Sequence, residues 1–333
     1  MLALLSRNPG GPETLVLENV PDPECPAGHV VLEVEACGVN YPDALFIRDQ
    51  YQVKPPRPFS PGGEVCGVVV SVGQGVQTLK LGDRVIGRCG WGGMAQKLAL
   101  TADRCFRIPS ALPAEQAATL LFAYGTALHA LTDRAHLSAG ETVLVLGAAG
   151  GVGSASVELA TALGARVVAT ASSREKTDFA LALGAQETFV YPRLELSDHE
   201  GMKTLANDFK KLLGERGADV VVDPVGGAYS EPALRSIAPD GRHLILGFTA
   251  GIARMPMNLP LLKSCQIVGV DWRQFGIRRP KALKEQTDTL VRMCLDGTIR
   301  PRIAERYPLS RAAEAIARLE DRSILGKLVV TME

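Results

Sequence analysis

The stretch "ETVLVLGAAGGVGSAS", Glu141–Ser156, decides the fold. Its first half is a continuous apolar run, the pattern of a parallel strand buried on both faces. Its second half is glycine-rich and passes into helical spacing. Gly147, Gly150, Gly151 and Gly153 fall where strand turns into helix, reading A-x-G-x-x-G from Ala148 to Gly153. Glycines there let the turn close and let backbone N–H groups approach a pyrophosphate, which the helix N-terminus favours electrostatically. The expected contacts are Gly150, Gly151, Val152 and Gly153. A glycine-rich turn that merely packs helix on sheet is the competing reading; the order strand, loop, helix, strand favours a ligand.

Downstream of this motif the alternation continues. "VGSASVELATALGA" has helical spacing and stops at Gly164, a C-cap residue. "RVVAT" is the next strand. "SSREKTDFALALGA" opens with Ser172 three residues before Glu175, a capping-box pattern, and closes at Gly184. Further strands are expected at "ETFVY", "ADVVVDPVG", "GRHLILGF" and "CQIVGVDW", with helical segments before or between most of them. Strand–helix alternation at this spacing implies an α/β fold with a doubly wound parallel sheet.

Upstream the character differs. "HVVLEVEACGV", "GEVCGVVVSVG" and "DRVIGRC" are short apolar or alternating runs broken by glycine and proline, with little helical periodicity. They imply a β-rich, barrel-like domain over residues 1–123, completed by about 262–333. The dinucleotide-binding (Rossmann) domain is expected over 124–261. The tail shows one strand, two helical stretches and a last strand, "LGKLVVTM".

Composition narrows the function classes. Of 333 residues, 46% are hydrophobic and 22% charged, which suits a globular protein with ample core. Lysine plus arginine and aspartate plus glutamate both number 36, so bulk attraction to nucleic acid or an anionic membrane is not indicated. No apolar run is long enough to span a bilayer. Seven scattered cysteines without a C-x-x-C argue against a zinc ribbon or a disulfide framework and for a cytoplasmic protein with reduced thiols. No G-x-S-x-G elbow appears, so a serine hydrolase has no support. His129 and His136, seven residues apart, read as helix-surface or packing residues rather than a metal pair.

The end of the second strand of the doubly wound domain selects the dinucleotide. An NAD-selective site places a carboxylate there for the ribose 2′-OH. Here "ATASSREK" offers Ser172 and Ser173, with Arg174 and Lys176 just beyond. Hydroxyls and cations suit a 2′-phosphate, which a carboxylate would repel. NADPH is the expected cofactor; an ordinary N-cap with a solvated charged turn is the alternative.

Five stretches together, "GVNYPDALFIRDQY", "PFSPGGEVCGVV", "GDRVIG", "YGTALHAL" and "GAAGGVGSAS", carry a family resemblance over nearly the whole chain. The chain resembles the medium-chain dehydrogenase/reductase superfamily, and more closely its zinc-free, zeta-crystallin-like quinone oxidoreductase branch. The resemblance implies a GroES-like catalytic domain, a nucleotide-binding domain and commonly a homodimer.

In zinc-dependent members a cysteine ligand lies in a C-H-x-D-type stretch and a histidine ligand in a G-H-E stretch. The matching positions are Asn40 and, within Gly62-Gly63-Glu64, Gly63. An amide and a glycine thus stand for a thiolate and an imidazole, so no metal is expected. The zinc enzymes' loop of four cysteines has no counterpart. Cys37, in "ACGVNYPD", matches no ligand and reads as a small buried residue ending a strand.

The resemblance also implies site residues. Asn40 is a candidate amide donor and Tyr51 a tyrosine at the mouth of the site; an Asx loop residue and a packing aromatic are their other readings. Thr126 matches a residue near the cofactor, or bonds its own helix. Lys176 and Tyr191 match contacts to the 2′-phosphate, and Arg322 an arginine near the cofactor. Gly247 and Phe248 end a strand at the carboxyl edge of the sheet, where ligands sit in such folds, and Asn258 is a candidate nicotinamide or loop contact. One departure is Asp271, Trp272 and Arg273, where the family often has an aromatic pair and glycine.

Without a Lewis acid, hydride transfer from NADPH to an electron-poor acceptor is easier than ionising an alcohol. The expected function is therefore NADPH-dependent quinone reduction, with a small-molecule quinone or enone as partner. Reduction of activated alkenes or enoyl thioesters, and a non-catalytic, crystallin-like or RNA-associated NADPH-binding protein, are the alternatives.

Overall fold

The computed structural model describes residues 1–191, 199–321 and 323–333. Among these, strands β1 (Leu2–Leu5), β2 (Val16–Asn19), β3 (His29–Val39), β4 (Glu64–Val72), β5 (Arg84–Arg88), β6 (Lys97–Thr101) and β7 (Cys105–Arg107) come first. Strands β8 (Thr142–Val145), β9 (Arg166–Ala171), β10 (Glu187–Val190), β11 (Ala218–Asp223), β12 (Ile237–Ile245) and β13 (Gln266–Gly269) follow. Strands β14 (Ile303–Pro308) and β15 (Lys327–Thr331) close the chain. Two compact units result, Met1–Phe122 with Thr287–Glu333, and Ala123–Gln286.

The Ala123–Gln286 unit is built on a parallel sheet, six-stranded among the described residues, in the order β10-β9-β8-β11-β12-β13. Numbered within the unit this is 3-2-1-4-5-6, the doubly wound order, with the switch point between β8 and β11. β8 and β11 are apolar because helices cover both faces of the sheet; Leu144 and Val221 are wholly buried in one core with Val168 and Phe209. The helix Gly151–Ala162 lies close to the sheet through small residues, with Ala155, Ser156 and Ala160 fully buried. It ends before Gly164, whose φ of +82° suits only glycine at little cost.

The helix Arg174–Ala182 begins one residue later than the capping-box pattern implies. β9 stays extended through Ala171, so Ser173 rather than Ser172 is the N-cap, its Oγ accepting from the Lys176 N–H at 3.4 Å. Lys176 then holds the N3 place, and Glu175 cannot close a box.

The first unit carries an antiparallel-rich sheet in the order β14-β15-β3-β4-β5-β7, with β6 also paired to β3. β3 is its spine: eleven residues, hydrogen-bonded to β4, β6 and β15. Leu32, Val34, Val65 and Val85 build the core inside the curl of this sheet. β14, with its charged "IAERYP" alternation, is a strand that apolar patterning did not single out. The chain returns to this unit at Thr287, later than the expected 262, because β13 pairs with β12 as the sixth strand of the parallel sheet. No helix among the described residues is long and apolar enough to cross a membrane.

Candidate functional site

The phosphate loop follows directly from the glycines. Gly147 takes a φ of +60° at the end of the central strand. A Cβ on Gly153 would lie 2.2 Å from the Gly147 carbonyl oxygen, so the helix can start this close to the strand only with glycine there. Gly150 is the N-cap, so no side chain covers the first-turn N–H groups of Gly151, Val152 and Gly153. A twelve-residue helix presenting bare N–H groups at the carboxyl edge of a parallel sheet is an anion cradle. The donor set fits a dinucleotide pyrophosphate.

Tyr191 buttresses this loop from the third strand of the sheet. The Gly147 N–H donates to the Tyr191 hydroxyl at 3.1 Å, and Tyr191 and Thr170 share a hydroxyl–hydroxyl bond of 2.7 Å. Burial pushes the Tyr191 hydroxyl pKa up. The Tyr191 hydroxyl, which the family resemblance matches to a 2′-phosphate contact, engages the backbone of the phosphate loop.

At the end of β9, the Lys176 ammonium donates to the exposed Ser172 Oγ at 3.0 Å. Ser173 caps the helix, and the largely exposed Arg174 pairs with Asp178 at 3.1 Å. Two hydroxyls and two basic side chains thus follow the end of β9, with Lys176 on Ser172 and Arg174 on Asp178, and no carboxylate stands at position 172 or 173.

Thr126 lies in a short helical turn, Thr126–Leu128, between two wider π-helical segments. The Trp272 ring packs on the neighbouring Gly125, where a Cβ would come within 2.7 Å of it. That contact explains the departure from the family at 271–273: Asp271 caps the helix Trp272–Arg278 and Trp272 fills the space above a glycine. His129 is a packing residue, bonded to Asp133 at 2.7 Å and stacked on Phe275 at 4.2 Å. Gly247 and the half-exposed Phe248 follow β12 at the carboxyl edge, and Asn258 begins the exposed helix Asn258–Lys263. Arg322 lies outside the described residues.

The first unit brings a second group together. Asn40 precedes the helix Tyr41–Phe46, its N–H donating to Asp43 Oδ2 at 2.8 Å while Gly62 N–H donates to Asp43 Oδ1 at 3.0 Å. The Asn40 amide donates to Glu64 Oε1 at 2.9 Å and to the Gly38 carbonyl at 3.4 Å. Its Oδ1 accepts from the Lys327 ammonium, which also donates to Val39 O at 3.2 Å and Glu64 Oε1 at 3.4 Å. Glu64 Oε2 accepts the Phe122 N–H at 2.8 Å. Asn40, Asp43, Glu64 and Lys327 are all buried. Both ends of the Asn40 amide are therefore engaged inside an ammonium–carboxylate network.

Burial pushes the Asp43 carboxyl up to about 7, against the pull of the Asn40 and Gly62 N–H groups and of Lys327. Cys37 is fully buried, with its pKa pushed well above the usual thiol range, first by burial and then by Asp43. Such a thiol is inert. Tyr51 packs on Phe46 with ring centroids 4.7 Å apart.

Sequence reasoning missed Lys327 and the buried Asp223. Their signal was faint: a charged residue at one end of an apolar strand, "KLVV" and "VVVD".

Comparison with known proteins agrees with this architecture. Residues 26–110 match the alcohol dehydrogenase GroES-like domain, and residues 151–291 the zinc-binding dehydrogenase family. The chain is 37% identical to quinone oxidoreductase-like protein 2 of Bos taurus, covering 96% of this chain and 89% of that protein. It is 34% identical to the quinone oxidoreductase of Rattus norvegicus over 92% of this chain and 90% of that one. The crystal structure of the quinone oxidoreductase from Thermus thermophilus, also solved with NADPH, superimposes with a TM-score of 0.83 at 32% identity, covering 100% of both chains. The chain belongs to the medium-chain dehydrogenase/reductase superfamily, in its zinc-free quinone oxidoreductase branch.

Proposed function

We propose that this protein is a zinc-independent, NADPH-dependent reductase that transfers hydride to a quinone. One observation carries the zinc-independent part. The residues at the family's ligand positions are Asn40 and Gly63, and Asn40 is bonded to a buried ammonium, Lys327, alongside Glu64. A glycine offers no ligand, and a carboxylate and amide already engaged by an ammonium are poor partners for a divalent cation.

The bound nicotinamide supplies the hydride. In this reading the N–H groups of Gly151, Val152 and Gly153 hold the pyrophosphate against the Gly150 turn, and Ser172, Ser173, Arg174 and Lys176 hold the 2′-phosphate. Tyr191 keeps Gly147 in place beneath them. Thr126, Gly247, Phe248 and Asn258 border the nicotinamide half. Tyr51 donates to the oxyanion that develops on the acceptor, where a fixed donor lowers the barrier. Asn40 acts by holding the buried network with Glu64 and Lys327 in place.

A homodimer fits the second unit. β13 is an edge strand, and Ile252, Met257, Leu261 and Leu262 beside it in sequence are 72–83% exposed. An exposed sheet edge flanked by apolar side chains favours pairing with a second copy. Sedimentation of the purified protein checks this.

NADPH oxidation with a panel of quinones, enones and enoyl thioesters tests the activity, repeated after chelation. Turnover of quinones that survives the chelator is expected. Turnover of alkenes or thioesters alone moves the assignment to activated-alkene reduction. NADPH binding without any turnover moves it to a non-catalytic binding protein, and chelator-sensitive turnover overturns the zinc-independent reading.

A further inference from the structure

Four hydrogen bonds converge on one buried carboxylate beside the switch point. Asp223 ends β11 and is 2% exposed. Its Oδ1 accepts the N–H groups of Val225 at 2.9 Å and Gly226 at 2.7 Å. Its Oδ2 accepts the Ser230 hydroxyl at 2.5 Å and lies 3.1 Å from His243 Nε2. His243 is wholly buried on β12, and its Nδ1 has no hydrogen-bond partner among the described residues. An N–H stranded at Nδ1 would be costly, so Nε2 carries the hydrogen that Asp223 accepts.

These bonds fix the turn Pro224–Gly227, in which Gly226 and Gly227 take φ of +71° and +57°. The turn touches two parts of the crevice. Val225 Cγ2 lies 2.8 Å from where a Cβ on Gly147 would stand. Val225 O accepts the Ala250 N–H at 2.8 Å, and the Gly227 N–H donates to Gly251 O at 2.7 Å. The turn therefore sets both the first glycine of the phosphate loop and the segment that carries Gly247 and Phe248. The hydroxyl–cation cluster at Ser172–Lys176 lies at the end of β9, on one side of the switch point. A dinucleotide extended across that point lays its other half over the ends of β11 and β12.

We infer that Asp223, supported by His243 and Ser230, is a positioning residue for the nicotinamide half of NADPH: it touches no cofactor but shapes the backbone that does. This rests on the NADPH reading above.

The test compares two ligands by calorimetry on the full-length protein: NADPH, and adenosine 2′,5′-bisphosphate, which carries only the adenine half. For Asp223→Asn, NADPH affinity should fall about tenfold or more, while the fragment binds within about twofold of wild type. Ser230→Ala, which keeps three of the four bonds, should show a smaller loss with the same indifference of the fragment, and serves if the first variant does not fold. Unchanged NADPH affinity in both variants overturns the inference. Equal loss of both ligands overturns it too, since a general loosening of the unit spares neither. Wild-type protein that binds neither ligand overturns the NADPH reading itself, and the inference with it.

Discussion

The Gly147 N–H donates to the hydroxyl of Tyr191, so the first glycine of the phosphate loop is held by the residue that follows the third strand of its sheet. Tyr191 is itself wedged against Tyr229, with ring centroids 4.8 Å apart. Replacing it by phenylalanine keeps the packing and removes the acceptor. Tyr191→Phe should fold normally and bind NADPH about three- to tenfold more weakly, the scale of one unmade bond to a buried N–H. Parallel melting curves and fluorescence titration of NADPH check both halves of this expectation.

Under the proposed function, Lys176 and Ser172 are the residues that select the cofactor. A charge-assisted hydrogen bond contributes about 1.5–3 kcal/mol, so Lys176→Ala should weaken NADPH about ten- to a hundredfold and leave NADH nearly untouched. Ser172→Asp should go further and favour NADH, because a carboxylate repels the 2′-phosphate and accepts from a ribose hydroxyl. Dissociation constants for both dinucleotides, measured on each variant, decide it.

The ammonium of Lys327 is matched to Glu64 in the core of the first unit, with both side chains under a tenth exposed. Removing one partner leaves the other charge buried alone, which costs about 3–5 kcal/mol. Lys327→Met should therefore destabilise by that order, and adding Glu64→Gln should recover a large part. Denaturant unfolding of the two single variants and the double variant measures the coupling.

Asp43 makes stability depend on pH. Its native carboxyl sits at about 7 against an ordinary value of 3.8, so between those limits the native state binds the proton and the unfolded chain does not. Stability from this group is thus complete below 3.8 and is lost as pH rises through 7, at up to about 1.4 kcal/mol per pH unit. Asp43→Asn should flatten that slope. Unfolding free energies of both proteins, measured across the range from mildly acidic to mildly alkaline, expose the difference.

The doubly wound half was legible because its signals are local. Apolar runs such as Val143–Val145, and glycines at 164 and 184, mark elements without reference to anything distant. The helix start at Ser173 was misplaced by one residue because two adjacent serines offer the same chemistry, and only the length of β9 chooses between them. In the first unit, Lys327 and Asn40 lie 287 residues apart, and no spacing rule connects them. Asp223 was equally silent, since its partners His243 and Ser230 come from another strand and a helix start. Buried polar networks join residues by topology, which a linear pattern does not carry.

The interrupted first unit has a consequence for biosynthesis. Residues 123–286 form a contiguous unit that can close as soon as it has left the ribosome. The 122 residues made before it cannot finish: β15 has yet to slot between β14 and β3, and Glu64 waits without its ammonium. Residues 1–122 are therefore completed only after the segment that follows residue 286 has been made, and until residue 327 emerges the edge of β3 that β15 covers stays open to pairing with other chains.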